Sequence, residues 1–207
     1  MNRILGMLSL VGLVAAATPA AASTVIGGYT FADNAFADTL ISSVGSFGVS
    51  AGSLATALTD IDAGTYAFSY EPGAYVELGF SDNTLVNGAG ADLVLFELAA
   101  VDTLMVSITV GGTTLGYVSA ATGDFVAGFA LNAVAINLDD FGIAAGASLS
   151  SVAIGLSTLT GGTHVPTLSL VGALNSADAV STVPEPTSLA LTALGLTGLA
   201  VGRRRRA

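Results

Sequence analysis

The 207-residue chain has no cysteine, no tryptophan, five prolines and only five basic residues. Without cysteine there are no disulfides, no thiolate metal site and no cysteine nucleophile. The shortage of bases is sharper than the count suggests. Arg3 lies at one end, and Arg203, Arg204, Arg205 and Arg206 lie at the other. Residues 23–182 hold 14 acids, one histidine, and neither lysine nor arginine. Such a segment cannot neutralise a phosphate backbone, which excludes nucleic acid as a partner. It also lacks the bases that nucleotide and phosphoryl-transfer sites use. What is abundant is apolar: 52% of residues are hydrophobic, 26 are glycine and only 10% are charged. That is one-domain length with ample core material, too hydrophobic for intrinsic disorder.

The two ends read as addresses. Residues 1–22 have the pattern of a secretory signal peptide. Arg3 is the positive start, Ile4 to Ala17 the apolar stretch, and Ala20-Ala21-Ala22 the small-residue cleavage pattern, with Ala20 and Ala22 the positions for signal peptidase. The apolar stretch is shorter than the ~20 residues a spanning helix needs. Export by the secretion machinery then leaves a mature chain beginning at Ser23. At the other end, Val183-Pro184-Glu185-Pro186 is stiff and non-helical, since each proline fixes its own φ and biases its predecessor toward extended geometry. An uncharged run, Thr187 to Gly202, follows it and is expected to form a hydrophobic helix. Its 16 residues cross a bilayer only with help from local thinning and arginine snorkelling. Arg203 to Arg206 form a cytoplasmic stop by the positive-inside rule, so the body lies outside and the tail crosses the inner membrane once.

A Pro-Glu-Pro triplet, a short Leu/Ala/Gly-rich segment and terminal arginines, in that order, resemble the PEP-CTERM sorting signal of Gram-negative bacteria. The resemblance covers Val183 to Ala207. It implies processing around Val183, Pro184, Glu185 and Pro186 by an exosortase, a membrane transpeptidase-like enzyme. Release to the cell surface or extracellular matrix would follow, in a group associated with exopolysaccharide and biofilm or floc formation. The chain thus divides into a signal peptide (1–22), a secreted body (23–182) and a sorting signal (183–207).

In the body, strict alternation of apolar residues predicts strands. It runs through Val76–Phe80, Val94–Leu98, Leu104–Val110, Val134–Leu138 and Val152–Leu156, with Leu168 and Leu170 marking a final strand. Both faces of Val94–Leu98 are apolar except at Glu97, so that strand is expected to be covered on both sides. Tyr66, Phe68 and Tyr70 share one face. Turns are expected at Ser81-Asp82-Asn83, Asn87-Gly88-Ala89-Gly90, Gly111-Gly112, Gly123-Asp124 and Gly161-Gly162. Phe36, Leu40 and Val44 have helical spacing and predict a short helix over Ala35–Val44. The whole is an all-β chain, an antiparallel β-sandwich or jelly roll. Asp33-Asn34-Ala35-Phe36-Ala37-Asp38 and the stretch Asn87 to Glu97 resemble segments of secreted PEP-CTERM β-sandwich proteins, themselves similar in outline to galactose-binding-like jelly rolls. That resemblance implies a fold; it carries over no sugar-site residue.

The chemistry-bearing residues are few. Gly48-Val49-Ser50-Ala51-Gly52 has the G-x-S-x-G pattern of a nucleophile elbow, with His164 downstream, but the βα alternation such an elbow needs is absent. Glu77 and Glu97 are candidates for a glycosidase pair if they lie on neighbouring strands. Asn87 to Leu95 resembles one unit of the calcium-binding nonapeptide, with Asn87 in place of its first glycine. Asp33, Asp38, Asp82, Asn83 and Asp92 lie in loop-like stretches and could supply the oxygens of a structural calcium; the alternative is that they cap turns and keep the surface soluble. The expectation is a non-catalytic exported protein with a structural or adhesive role and no required cofactor, possible structural calcium aside. A lectin-like carbohydrate-binding module is the alternative, which predicts exposed aromatic and amide groups clustered on one face. A secreted hydrolase is a third reading.

Overall fold

A computed structural model describes residues 23–99, 105–156 and 165–178. The signal-peptide and sorting-signal residues, Leu104, Gly161-Gly162 and His164 lie outside them. In chain order the elements begin with β1 (Ser23–Ile26), β2 (Tyr29–Ala32), β3 (Thr39–Val44) and β4 (Gly48–Val49), followed by α1 (Leu54–Thr59). Next come β5 (Ala67–Phe68), β6 (Tyr75–Gly79), β7 (Asn83–Val86), β8 (Leu93–Ala99), β9 (Met105–Val110) and β10 (Thr113–Val118). The last are β11 (Ala120–Val126), β12 (Phe129–Ile136), a 3₁₀ turn (Leu138–Phe141), β13 (Ser148–Leu149), β14 (Ser151–Gly155), β15 (Thr167–Ala173) and β16 (Ser176–Asp178).

Two antiparallel sheets make the sandwich. One has the strand order β10-β9-β14-β6-β3 and the other β11-β12-β8-β15-β5-β4. A three-stranded sheet, β13-β7-β16, and the β1–β2 hairpin complete the fold. Val76, Leu78, Val152 and Ile154 from the first sheet meet Leu93, Leu95, Val134, Ile136, Leu168 and Val171 from the second, forming the main core. Burying side chains of this size contributes about 1.5–3 kcal/mol each. A register shift in β15 between Leu168 and Val171 lets both face that core while Leu170 turns the other way.

A second core covers the outer face of the six-stranded sheet. Val94, Phe96, Leu98, Leu131, Ala133 and Leu170 pack there beneath Phe31 and Phe36. The ring of Phe31 lies 5.0 Å from that of Phe36 and 5.9 Å from that of Phe96. Gly172 makes room for it, since a Cβ there would sit 2.6 Å from the Phe31 ring. So β8 is covered on both faces, as its doubly apolar sequence predicts.

Three hairpins close with two residues at positive φ, the geometry that matches the right-handed twist of the flanking strands. Gly27-Gly28 and Gly111-Gly112 adopt it without strain, whereas the third pair is Ala127 (φ 51°) and Gly128 (φ 85°). The turn expected at Gly123-Asp124 is instead an irregularity within β11, whose register shifts between Ala121 and Phe125.

The helix expected over Ala35–Val44 is not formed. Phe36 bridges to Gly172 and belongs to the outer core, while Leu40 packs against the inner one. The segment passes from one sheet to the other, with Ala37 N–H bonded to Val171 O and Asp38 N–H to Gly79 O. Its four-residue spacing reflects two different layers rather than one helical face. The α-helix forms at α1, where Ser53 caps the first turn by accepting from Thr56 N–H, and Ala57 and Leu58 are buried. Among the described residues no helix is long and apolar enough to cross a membrane.

Candidate functional site

Ser50 does stand on a strand-to-helix turn, between β4 and α1. Its Oγ accepts Tyr66 N–H at 2.8 Å, and its own N–H donates to Tyr66 O at 3.0 Å. The hydroxyl therefore extends the β4–β5 pairing by one more rung.

Glu77 and Glu97 belong to different sheets. Glu77, on β6, points away from the main core and accepts from Ser42 Oγ (3.1 Å) and Ser151 Oγ (2.9 Å). It lines an open groove of about 620 Å³ with Tyr75, Thr109, Ser151 and several glycines, and among the described residues no other carboxylate lines that groove. Glu97, on β8, is only 2% exposed. Its carboxyl accepts from Ser119 Oγ (2.7 Å) and Thr167 N–H (3.3 Å). Burial pushes its pKa up to about 7, against the opposing pull of those two hydrogen bonds. Ser119 sits where the chain leaves β10 for β11, and Thr167 opens β15. Glu97 therefore pins two entries into the six-stranded sheet.

Of the five candidate calcium residues, Asp38 is bonded to Ser81 and so lies beside the turn that carries Asp82 and Asn83. Asp33 accepts from Thr24 Oγ1 at 3.3 Å. Asp38 accepts from Ser81 N–H (2.9 Å), Ser81 Oγ and Thr39 Oγ1 (2.9 Å). Partial burial raises its pKa, but these hydrogen bonds outweigh that and hold it below the usual carboxylate value. Asp82 is exposed at the neighbouring turn. Asn83 is buried, and its side-chain nitrogen and oxygen have no hydrogen-bond partner among the described residues. Asp92 is 0% exposed. Its Oδ1 accepts from Gly88 N–H and Asn175 Nδ2, both at 2.7 Å, and its Oδ2 from Leu138 N–H at 2.8 Å. Asn87, the first residue of the nonapeptide-like stretch, donates from Nδ2 to Asp139 (2.8 Å) and Ile143 O (2.7 Å). That stretch is thus a loop fastened by its own polar side chains. Among the described residues no three His, Cys, Asp or Glu side chains form a metal-holding group.

The shared face of Tyr66, Phe68 and Tyr70 leads to a feature the sequence showed only in part. The tip of the β11–β12 hairpin folds over so that Val126 and Ala127 stand against Gly64. This brings the ring of Phe129 to 6.0 Å from Tyr66. Tyr66 in turn lies 6.4 Å from Phe68, and Phe68 5.4 Å from Tyr70. The row ends in an open trough of about 600 Å³ lined by Ser46, Phe47, Gly48, Phe68, Tyr70 and Glu71.

Beyond the described body, residues 182–206 match the PEP-CTERM protein-sorting motif. The chain carries a PEP-CTERM tail. That tail implies an exported protein, held at the membrane and processed by an exosortase, as the order of Pro-Glu-Pro, apolar run and arginines led one to expect. No curated protein matches the chain. Among solved structures, an exo-β-1,3-galactanase from Phanerochaete chrysosporium, crystallised with β-1,3-galactotriose, aligns at a TM-score of 0.36 and 18% identity. The alignment covers 62% of this chain and 26% of the galactanase, so the PEP-CTERM chain spans about a quarter of that protein.

Proposed function

We propose that this PEP-CTERM protein is a non-catalytic component of the cell surface or extracellular matrix. Signal peptidase and the secretion machinery export it, the inner membrane holds it briefly by its tail, and exosortase processing around Val183-Pro184-Glu185-Pro186 frees the sandwich. Outside, it acts as a structural or adhesive element of an exopolysaccharide matrix or biofilm. The observation that carries the reading is the use made of its acids. Asp38, Asp92 and Glu97 accept hydrogen bonds from hydroxyls or backbone N–H groups of their own scaffold, and Glu77, in its groove, is bonded to Ser42 and Ser151 with no second carboxylate beside it among the described residues. Ser50 likewise serves the backbone of Tyr66. A catalytic acid or nucleophile is instead aimed at a site where a reacting atom can sit.

The test is the fate of the tail in a host that has an exosortase. The wild-type protein should be recovered from medium or matrix without residues 187–207. The Pro184→Ala/Glu185→Ala double variant should stay at full length in the membrane fraction. An intact tail on the exported wild type, or the same distribution for both proteins, would overturn the reading. Hydrolysis of polysaccharide by the released protein would overturn its non-catalytic part.

A further inference from the structure

We infer that the aromatic row from Phe129 to Tyr70, with its terminal trough, is a binding site for an uncharged polysaccharide chain. This deepens the adhesive reading above, on which it rests only for the ligand's presence outside the cell. Tyr70 is 75% exposed and Phe129 42%, beside the half-buried Tyr66 and Phe68. Tyr66 also packs against the second core, which anchors the row, whereas the exposed rings of Tyr70 and Phe129 continue it into solvent, and exposed apolar patches mark interaction sites.

The row is built rather than accidental. Phe68 lies directly over Gly48, where a Cβ would run into its ring. The loop beneath is clamped to the strand carrying the rings, by Ser69 Oγ donating to Ser46 O (2.7 Å) and Ser46 N–H donating to Glu71 Oε2 (2.7 Å). A platform ordered before binding loses little conformational entropy when a ligand arrives.

The chemistry of the row selects its occupant. The central pair, Tyr66 and Phe68, is tilted by only 32° at 6.4 Å, while Phe129 and Tyr70 stand nearly perpendicular at its two ends (73° and 79°), so the ligand must bring an apolar face to lie along the pair. Among the described residues that line the trough, the one charged group, Glu71, is a carboxylate and accepts only, so the ligand must bring donors. The described residues contain no lysine or arginine, so an anionic polymer would meet repulsion with nothing to pair it. A cation would be drawn to the same field, but cation recognition is sharpest in an enclosed aromatic box. Here the row is a two-ring strip with an upright ring at each end, Phe129 on one side and Tyr70 on the other, rather than an enclosed box. A chain of neutral sugar rings has C–H faces, O–H donors and no charge, and it meets all three requirements.

Affinity electrophoresis of the processed protein tests this, in gels cast with a β-1,3-galactan, a β-1,3-glucan, a mannan or the anionic control alginate. Retardation is expected in at least one neutral gel and not in alginate. Tyr70→Ala should weaken it about tenfold or more with the unfolding midpoint unchanged, and Phe129→Ala should weaken it as well. Retardation in no neutral gel, or retardation that survives both substitutions, overturns the proposal. So does Tyr70-dependent binding of a fluorescent oligo-arginine without neutral-glycan binding, which would assign the row to a cationic partner. Tyr70-dependent self-association without glycan binding would assign it to a second copy and equally overturn the proposal. None of these outcomes bears on tail processing, which the fractionation experiment reads separately.

Discussion

Glu97 makes the stability of this exported domain depend on pH in a direction opposite to that of a salt-bridged acid. Its folded pKa of about 7 lies above the ordinary glutamate value of 4.5. Below pH 4.5 both folded and unfolded states hold the proton, and Glu97 carries no penalty. As pH rises from there toward 7, the unfolded chain releases its proton while the folded one resists. Stability therefore falls across that window and levels off above it. The gap corresponds to a loss on the order of 3 kcal/mol. In a domain of this size that moves the unfolding midpoint by roughly 6–12 °C. Glu97→Gln keeps an oxygen for Ser119 or Thr167 but cannot ionise. Other acids also respond to pH, so the decisive quantity is the difference between wild type and variant in thermal melts at pH 4.5, 6, 7 and 8. Relative to wild type, the variant should gain stability steadily up to about pH 7 and hold that gain beyond. Parallel midpoint curves for the two proteins would refute the assignment of a raised pKa to Glu97.

Asp92 is expected to matter through its three internal donors rather than through a cation. Asp92→Ala should cost about 3 kcal/mol by leaving Gly88 N–H, Leu138 N–H and the Asn175 amide short of an acceptor, while added calcium or chelator leaves the wild-type melt unchanged. A calcium-dependent rise that vanishes in Asp92→Ala would return this loop to the metal reading. At Ala127, the one non-glycine residue at positive φ among those described, replacement by Asn should stabilise the domain by about 0.5–1 kcal/mol, because Asn tolerates the left-handed region. A lower urea midpoint for Ala127→Asn would show that this turn is not strained.

The strands most legible in the sequence were those whose two faces meet different surroundings. In β6, Val76 and Leu78 enter the core while Glu77 turns outward, and β14 follows the same rule with Val152 and Ile154. β8 was legible for the opposite reason, because both of its faces are dry. Illegible were features that depend on where the chain goes next. Phe36 and Leu40 mimic a helix because each enters a different core. Gly123 looked like a turn because an alanine at positive φ, Ala127, was not an expected choice. The Glu97–Ser119 bond joins β8 to the junction between β10 and β11, neither of which pairs with β8, and no local pattern encodes that. The aromatic row was half visible. Tyr66, Phe68 and Tyr70 alternate along one stretch, but Phe129 joins them only because a hairpin folds over.

The position of β15 between β8 and β5 has a consequence for export. Ribosome and translocation channel both deliver a chain from its N-terminus, so the strand that fills this interior slot is almost the last to emerge. Until residues 167–173 are clear, the six-stranded sheet has a gap in its middle, both hydrophobic cores lack Leu168, Leu170 and Val171, and Glu97 has no Thr167 N–H to accept from. The sorting motif follows within a few residues. The six-stranded sheet therefore cannot be completed until nearly the whole body has been delivered, only a few residues ahead of the sorting motif.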